Sequence, residues 1–307
     1  MNARIAPRSS LVRRTTALLA VALLATGCGS SSASPSASAQ ALKVVATTTV
    51  FADIVSNVGG DRVSVTSIIP AGAGPEDYEP KPDDARKLAD ADLVVSNGVG
   101  LDDFLDRLTT AAGGAAKPRL VLGDGIPTIT VDGKPNPHFW LDPTLVADHY
   151  IPAISAALTR LDPSDAATYA ANASSYATQV RAMDASNTAK IAAIPPANRK
   201  LVTFHDAFPY FAKHYGFEVI GVILANVGQE PTASELAALV QRVRAAHVAA
   251  VFSEAQFSPE LAHTLAQEAG ITKIVTTLYN DTLGPPPADT YLKMMGWNVD
   301  EIVSALR

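Results

Sequence analysis

From about residue 41 onward the hydrophobic and polar positions fall into short β-branched runs separated by longer amphipathic stretches. The runs lie at 43–50, 62–69, 92–96, 119–122, 200–204, 218–224, 248–252 and 273–278. Each is too short for a stable helix and is rich in residues that fit a pleated strand. Between them, 82–91, 102–112, 207–215 and 234–246 carry helical spacing. Strand–helix alternation of this kind predicts parallel sheets covered by helices, an α/β fold.

The pattern changes between 163 and 194, where strand character disappears and the chain turns Ala-rich. Tyr169, Tyr176, Val180, Met183 and Ile191 recur there on one helical face. Asp162, Pro163, Ser164 and Asp165 supply the chemistry of a helix start, and Pro195-Pro196 supplies a stop. About thirty helical residues would reach roughly 45 Å, enough to run the length of a domain. The expected architecture is therefore two lobes, at 41–162 and 197–307, each a mainly parallel sheet flanked by helices. One long rigid backbone helix across 163–196 joins them. A single stiff connector allows small rocking, whereas several flexible strands would allow wide closure.

The first forty residues follow other rules. Arg4, Arg8, Arg13 and Arg14 precede an apolar run from Thr15 to Ala25 that is too short to span a bilayer. It ends in Leu24-Ala25-Thr26-Gly27-Cys28, and Cys28 is the sole cysteine of the chain. This resembles the lipobox of bacterial lipoproteins, in which cleavage leaves a cysteine that carries acyl chains. The expectation is a signal peptide over 1–27, a lipidated Cys28, and a flexible Ser/Ala tether through residue 40. The protein would then sit lipid-anchored on the extracytoplasmic side of the cell membrane. A mature domain without a second cysteine has no internal disulfide, so packing must stabilise it.

Composition narrows the ligand. The 307 residues are 48% hydrophobic and 18% charged, with a formal net charge of −6; loss of the four leader arginines takes this to −10. An acidic chain of this kind has no basic face for nucleic acid, and its favoured ligands are cations or neutral molecules.

Six histidines are available, in unequal surroundings. His149, His214, His247 and His263 are expected inside helices, amid Ala and polar residues, and read as surface or packing residues. His138 sits in Asn136-Pro137-His138-Phe139-Trp140-Leu141-Asp142-Pro143, a turn fixed by proline on both sides. His205 follows the run at 200–204, at the carboxyl end of an expected parallel strand, where open α/β sheets bind ligands. Acidic residues occupy matching points: Glu76 and Glu79 after the second run, Glu254 after Val251-Phe252, and Asp281 after Tyr279-Asn280. Two imidazoles and two carboxylates would neutralise a dication and suit four-coordinate Zn, Mn or Fe. No HExxH, GxSxG, P-loop or dinucleotide fingerprint is present.

With these motifs together, the chain resembles the metal-binding solute-binding proteins of zinc and manganese ABC importers, a family that includes streptococcal lipoprotein adhesins. The marks of the resemblance are Pro75-Glu76-Asp77-Tyr78-Glu79-Pro80 with Pro82 and Asp83, the turn around His138, Thr203-Phe204-His205-Asp206-Ala207-Phe208, Gln229-Glu230-Pro231-Thr232, Val251-Phe252-Ser253-Glu254 and Tyr279-Asn280-Asp281. They span essentially all of 42–307. The resemblance implies a monomer that holds one Zn2+ or Mn2+ between its lobes and hands it to an ABC importer permease. It maps the four ligands to Glu76, His138, His205 and Asp281. The family usually has His at the first position, so Glu76, the adjacent Asp77 or a water can fill it. Glu254, Asp77 and Glu79 are left as supporting groups or reserve ligands. Residues 111–137 also lack the His-rich loop of many zinc-specific members, and an oxygen-rich site tilts toward manganese. Two other readings compete: a metal-dependent hydrolase with Glu254 as general base, which needs an open coordination position, and a surface adhesin.

Overall fold

The computed structural model describes residues 41–76, 78–111, 117–225 and 227–307. The expected leader, Cys28 and tether, and also Asp77, lie outside the described residues. In the first half, β1 (Leu42–Ala46), α1 (Thr49–Gly59), β2 (Val63–Ser67), α2 (Pro82–Asp90), β3 (Leu93–Ser96), α3 (Phe104–Ala111) and β4 (Arg119–Val121) alternate. The strands form one parallel sheet in the order β2-β1-β3-β4. All four residues of β3 are buried, as are Val44 to Ala46 of β1, which is the continuous apolar run expected of a central parallel strand covered on both faces.

The hairpin β5 (Thr130–Val131) and β6 (Lys134–Pro135) then leads into the turn bearing His138. From there α4 (Pro143–Leu145) continues through a π-helical turn, Val146–Tyr150, into α5 (Ile151–Leu161). After the long helix α6 (Ala166–Ile191) come β7 (Lys200–Thr203), α7 (Pro209–Tyr215), β8 (Glu218–Val222), α8 (Ala233–Ala245), β9 (Ala250–Glu254), α9 (Glu260–Ala269), β10 (Lys273–Leu278) and α10 (Tyr291–Leu306). Here β7 pairs with β8 and β9 with β10, both in parallel, and β7 packs beside β9. The fold is thus α/β with two sets of parallel strands flanked by helices.

Some boundaries differ from the sequence reading for local reasons. The run at 43–50 is only partly strand, because the Thr48 hydroxyl accepts from Phe51 N–H and starts α1 at Thr49. Asp162 does not cap α6. Its carboxylate accepts from Ser164 Oγ at 2.5 Å and from Tyr169 OH at 3.1 Å, and a 3-10 turn over Pro163–Asp165 leads in. His247 falls just past α8 with φ 51°, outside the helix.

The 26 residues of α6 give a rod of roughly 39 Å. Tyr169, Ala173, Tyr176, Ala177, Val180, Asn187 and Ile191 are its buried face, against α1, α5 and α10. One hydrophobic cluster runs from Val44 through this face to Leu306 and takes in both sets of strands. Two smaller clusters, around Val94 and around Val251, fill the outer layers. The described residues from 41 to 307 accordingly form one compact unit. Prising the halves apart would expose this shared core at about 25 cal/mol per Å2, which restricts them to small relative motion.

Candidate metal centre

Three parallel strands deliver acid or imidazole at their carboxyl ends. His205 lies two residues beyond β7, Glu254 ends β9, and Asp281 lies three residues beyond β10. Glu76 comes from the loop between β2 and α2, and His138 from the turn after β6. Each backbone is held by specific contacts. The loop of Glu76 is tied down where Tyr78 OH and Lys81 N–H donate to Asp84, and where Gly72 N–H donates to the Thr282 hydroxyl. The strand-end loop of Asp281 is held by Asn298, whose Oδ1 accepts from Tyr279 N–H at 3.0 Å and whose Nδ2 donates to Tyr279 O at 2.5 Å. Trp140, fully buried, donates its Nε1–H to Asn280 O at 2.7 Å and so bolts the His138 turn to the Asp281 loop.

Glu76, His138, His205 and Asp281 converge, with one donor atom from each lying within 4.8 Å of every other. The two Nε2 atoms are 3.3 Å apart and each is 3.6 Å from Glu76 Oε1, while His138 Nε2 is 3.4 Å from Asp281 Oδ1 and His205 Nε2 is 3.4 Å from Asp281 Oδ2. Separations of 3.3–3.6 Å are those of N and O donors that surround one ion at about 2.0–2.2 Å, the bond length to zinc-sized ions. His138, His205 and Asp281 are buried, and the Glu76 side chain is 22% exposed at the mouth.

Neighbours aim the imidazoles. Asn136 Nδ2 donates to Asp206 O at 2.7 Å, which turns Asn136 Oδ1 toward His138, where it accepts from the backbone N–H and from Nδ1–H, both at 3.0 Å. His138 Nε2 is thereby left bare and pointing at the centre. Behind His205, Nδ1 faces Glu254 Oε1 at 3.5 Å. Asp281 Oδ2 accepts from Gln256 Nε2 at 2.8 Å, while Asp281 Oδ1 is buried with no hydrogen-bond partner. A buried carboxylate oxygen without a donor is costly unless a cation satisfies it.

Electrostatics agree. Burial opposes charge on Glu76, but the imidazoles of His138 and His205 outweigh it and hold the carboxyl at about 2. Burial likewise opposes charge on His205, yet Asp281, Glu254 and Glu76 raise it to about 10. His138 is raised for the same reason, by Asp281 and Glu76 against burial. Burial raises Glu254 against the pull of His205. Without a cation the pocket therefore keeps a proton where a metal would sit. Donors this close leave room for one ion and for no organic molecule.

Among the other sequence candidates, Glu79 is exposed on its loop, outside the converging group. His263 is exposed on α9. His214 is engaged elsewhere, with Nε2 2.8 Å from Asp184 and Nδ1 3.3 Å from Asp142. Asn136, Gln256 and Asn280 were not among the sequence candidates; neutral amides carry no signature apart from the partners that folding brings to them.

Residues 44–305 match the family described as ZnuA, zinc-uptake complex component A periplasmic. The chain is 32% identical over 295 residues to the manganese-binding lipoprotein MntA of Halalkalibacterium halodurans, covering 94% of this chain and 96% of that one. It is 30% identical over 289 residues to the iron ABC transporter substrate-binding lipoprotein MtsA of Streptococcus pyogenes serotype M1, covering 90% and 93%. Among solved structures, the periplasmic zinc binding protein TroA of Treponema pallidum superposes with a TM-score of 0.79 at 26% identity, covering 87% of this chain and 99% of that one.

Proposed function

The chain belongs to the ZnuA family of metal-importer substrate-binding proteins, and from that premise we propose that Glu76, His138, His205 and Asp281 are the four ligands of one divalent transition-metal ion. The ion is cargo, captured outside the cytoplasm and passed to the permease of an ABC importer. The observation that supports the ligand set most is that the two Nε2 atoms lie 3.3 Å from each other and 3.4–3.6 Å from Glu76 Oε1 and from the Asp281 carboxylate. The same proposal includes the lobes at 41–162 and 197–307 with their connector at 163–196, a lipid anchor on Cys28, and a monomeric state.

Relatives carry the names of manganese, iron and zinc proteins. Four donors at this spacing fit zinc, and the oxygen pair widens the range toward manganese and iron. We assign the ion as Zn2+ or Mn2+. A hydrolase is disfavoured by the position of Glu254, which faces the far nitrogen of His205 and not the centre, where a general base would have to reach a bound water.

A ligand that binds only the folded chain stabilises it by RT ln(1 + [L]/Kd), about 4 kcal/mol at a thousandfold excess over Kd. One equivalent of metal should therefore raise the melting temperature of wild type and of His263→Ala, and a chelator should reverse it. His205→Ala and Asp281→Ala should lose most of the rise. Equal rises in all four proteins would contradict the ligand set.

A further inference from the structure

We propose that Thr282 is a positioning residue that sets how fast the ion leaves, by clasping the loop of Glu76 to the loop of Asp281. The proposal rests on the reading of these two acids as ligands. Thr282 directly follows Asp281 and is buried, with 1% exposure. Its hydroxyl oxygen accepts Gly72 N–H at 3.0 Å, four residues before Glu76, and lies 3.1 Å from Thr49 Oγ1 at the start of α1. Thr49 Oγ1 in turn accepts Leu283 N–H at 2.9 Å. Two hydroxyls thus join the start of α1, the loop of Glu76 and the loop of Asp281.

The other backbone bonds of the Glu76 loop stay within the first half of the chain. Ile68 and Ile69 N–H donate to Ala46 O and Thr47 O, Ala73 N–H to Pro70 O at 3.3 Å, and Tyr78 N–H to Pro75 O at 3.4 Å. Glu76 is also the ligand at the mouth: its side chain is 22% exposed, whereas His138, His205 and Asp281 are buried. An ion at the centre therefore leaves past Glu76. Its departure requires the stretch from Gly72 to Glu76 to shift away from Asp281, and the Gly72–Thr282 bond opposes that shift. A Gly72 N–H deprived of its acceptor regains a partner by turning to water, which draws the stretch outward. The halves of the chain do not depend on this clasp. Phe51, Tyr176 and Tyr291 share one core cluster, and Asp53 Oδ2, one turn into α1 from Thr49, accepts Tyr291 N–H at 2.9 Å. Loss of the Thr282 hydroxyl thus frees the Glu76 loop with α1 and α10 still joined.

Thr282→Val keeps the shape of the side chain and removes the hydroxyl, whereas Thr282→Ser keeps the hydroxyl. Rapid mixing of zinc-loaded protein with a colorimetric chelator, in an excess at which the rate no longer depends on chelator, gives the dissociation rate of Zn2+. That rate should rise about tenfold in Thr282→Val, in keeping with the loss of one hydrogen bond, and stay at the wild-type value in Thr282→Ser. The association rate should change less than the dissociation rate. A merely structural role would instead lower the melting temperature of the metal-free variant and leave zinc dissociation as in wild type. A wild-type rate in Thr282→Val, or an equal rise in Thr282→Ser, would overturn the proposal. Should Thr282→Val fold poorly, Thr49→Val removes the partner hydroxyl, and a wild-type rate there overturns the proposal equally. Failure of the parent reading looks different: Asp281→Ala would then bind zinc as wild type does.

Discussion

Metal capture by this site must expel a proton, and the size of the effect follows from the groups around His205. A metal at the proposed site needs the lone pair of His205 Nε2; burial opposes charge on the imidazole, but Asp281, Glu254 and Glu76 hold it at about 10 in the metal-free protein. At pH 6 to 8 the ring is therefore an imidazolium and its proton has to leave. The two Nε2 atoms are only 3.3 Å apart and cannot both carry a proton without repulsion, so close to one proton is released per ion. Apparent affinity should then rise about tenfold per pH unit, roughly a hundredfold or 2.7 kcal/mol from pH 6 to pH 8. The sign for stability runs the other way. A histidine raised from 6.5 to about 10 stabilises the metal-free fold fully below pH 6.5, and that contribution is lost as the pH climbs toward 10. The gap in melting temperature between loaded and metal-free protein should thus widen with pH. Titration calorimetry in two buffers of different ionisation enthalpy counts the protons directly. Glu254→Gln removes one attraction on the imidazolium, so its affinity should level off at a lower pH than that of wild type. An affinity that is flat from pH 6 to pH 8 with no proton released would refute the reasoning.

Two further outcomes are expected. Glu76→His replaces a carboxylate oxygen by a softer nitrogen, and should raise zinc affinity relative to manganese by at least about tenfold, near 1.4 kcal/mol, in competition titrations; an unchanged ratio together with a large loss of binding in Asp77→Ala would move the ligand role to Asp77. Cys28→Ala should shift the mature protein from the membrane fraction to the soluble fraction, with the acyl mass absent from its N-terminus; a variant that stays membrane-bound would contradict the anchor.

Much of the architecture was legible because parallel strands buried on both faces read as unbroken apolar runs, as in Leu93–Ser96, and because Pro195-Pro196 bounds the long helix. His138 stood out through its flanking prolines and His205 through its place at a strand end. The supporting atoms were not legible. Asn136 reaches Asp206 across 70 residues, Gln256 reaches Asp281 across 25, and Trp140 reaches Asn280 across 140. None of these partners can be inferred from local spacing. Glu254 was visible as an acid at a strand end, but whether it faced the centre or the back of His205 depended on where β7 packs beside β9. His214 read as a packing residue, and its two carboxylate partners come from α6 and from the turn of His138, which sequence periodicity does not bring together. The continuity of the core through α6 was equally hidden, since periodicity marks the buried face of a helix without naming what covers it.

If Glu76, His138, His205 and Asp281 are the ligands, one ion sits among them. Crystals of protein loaded separately with zinc and with manganese, measured at each absorption edge, test it most directly. One anomalous peak per chain is expected, about 2.0–2.2 Å from His138 Nε2, His205 Nε2, Glu76 Oε1 and an oxygen of Asp281. A peak elsewhere, or one at this position with Glu76 or Asp281 turned away from it, would contradict the account.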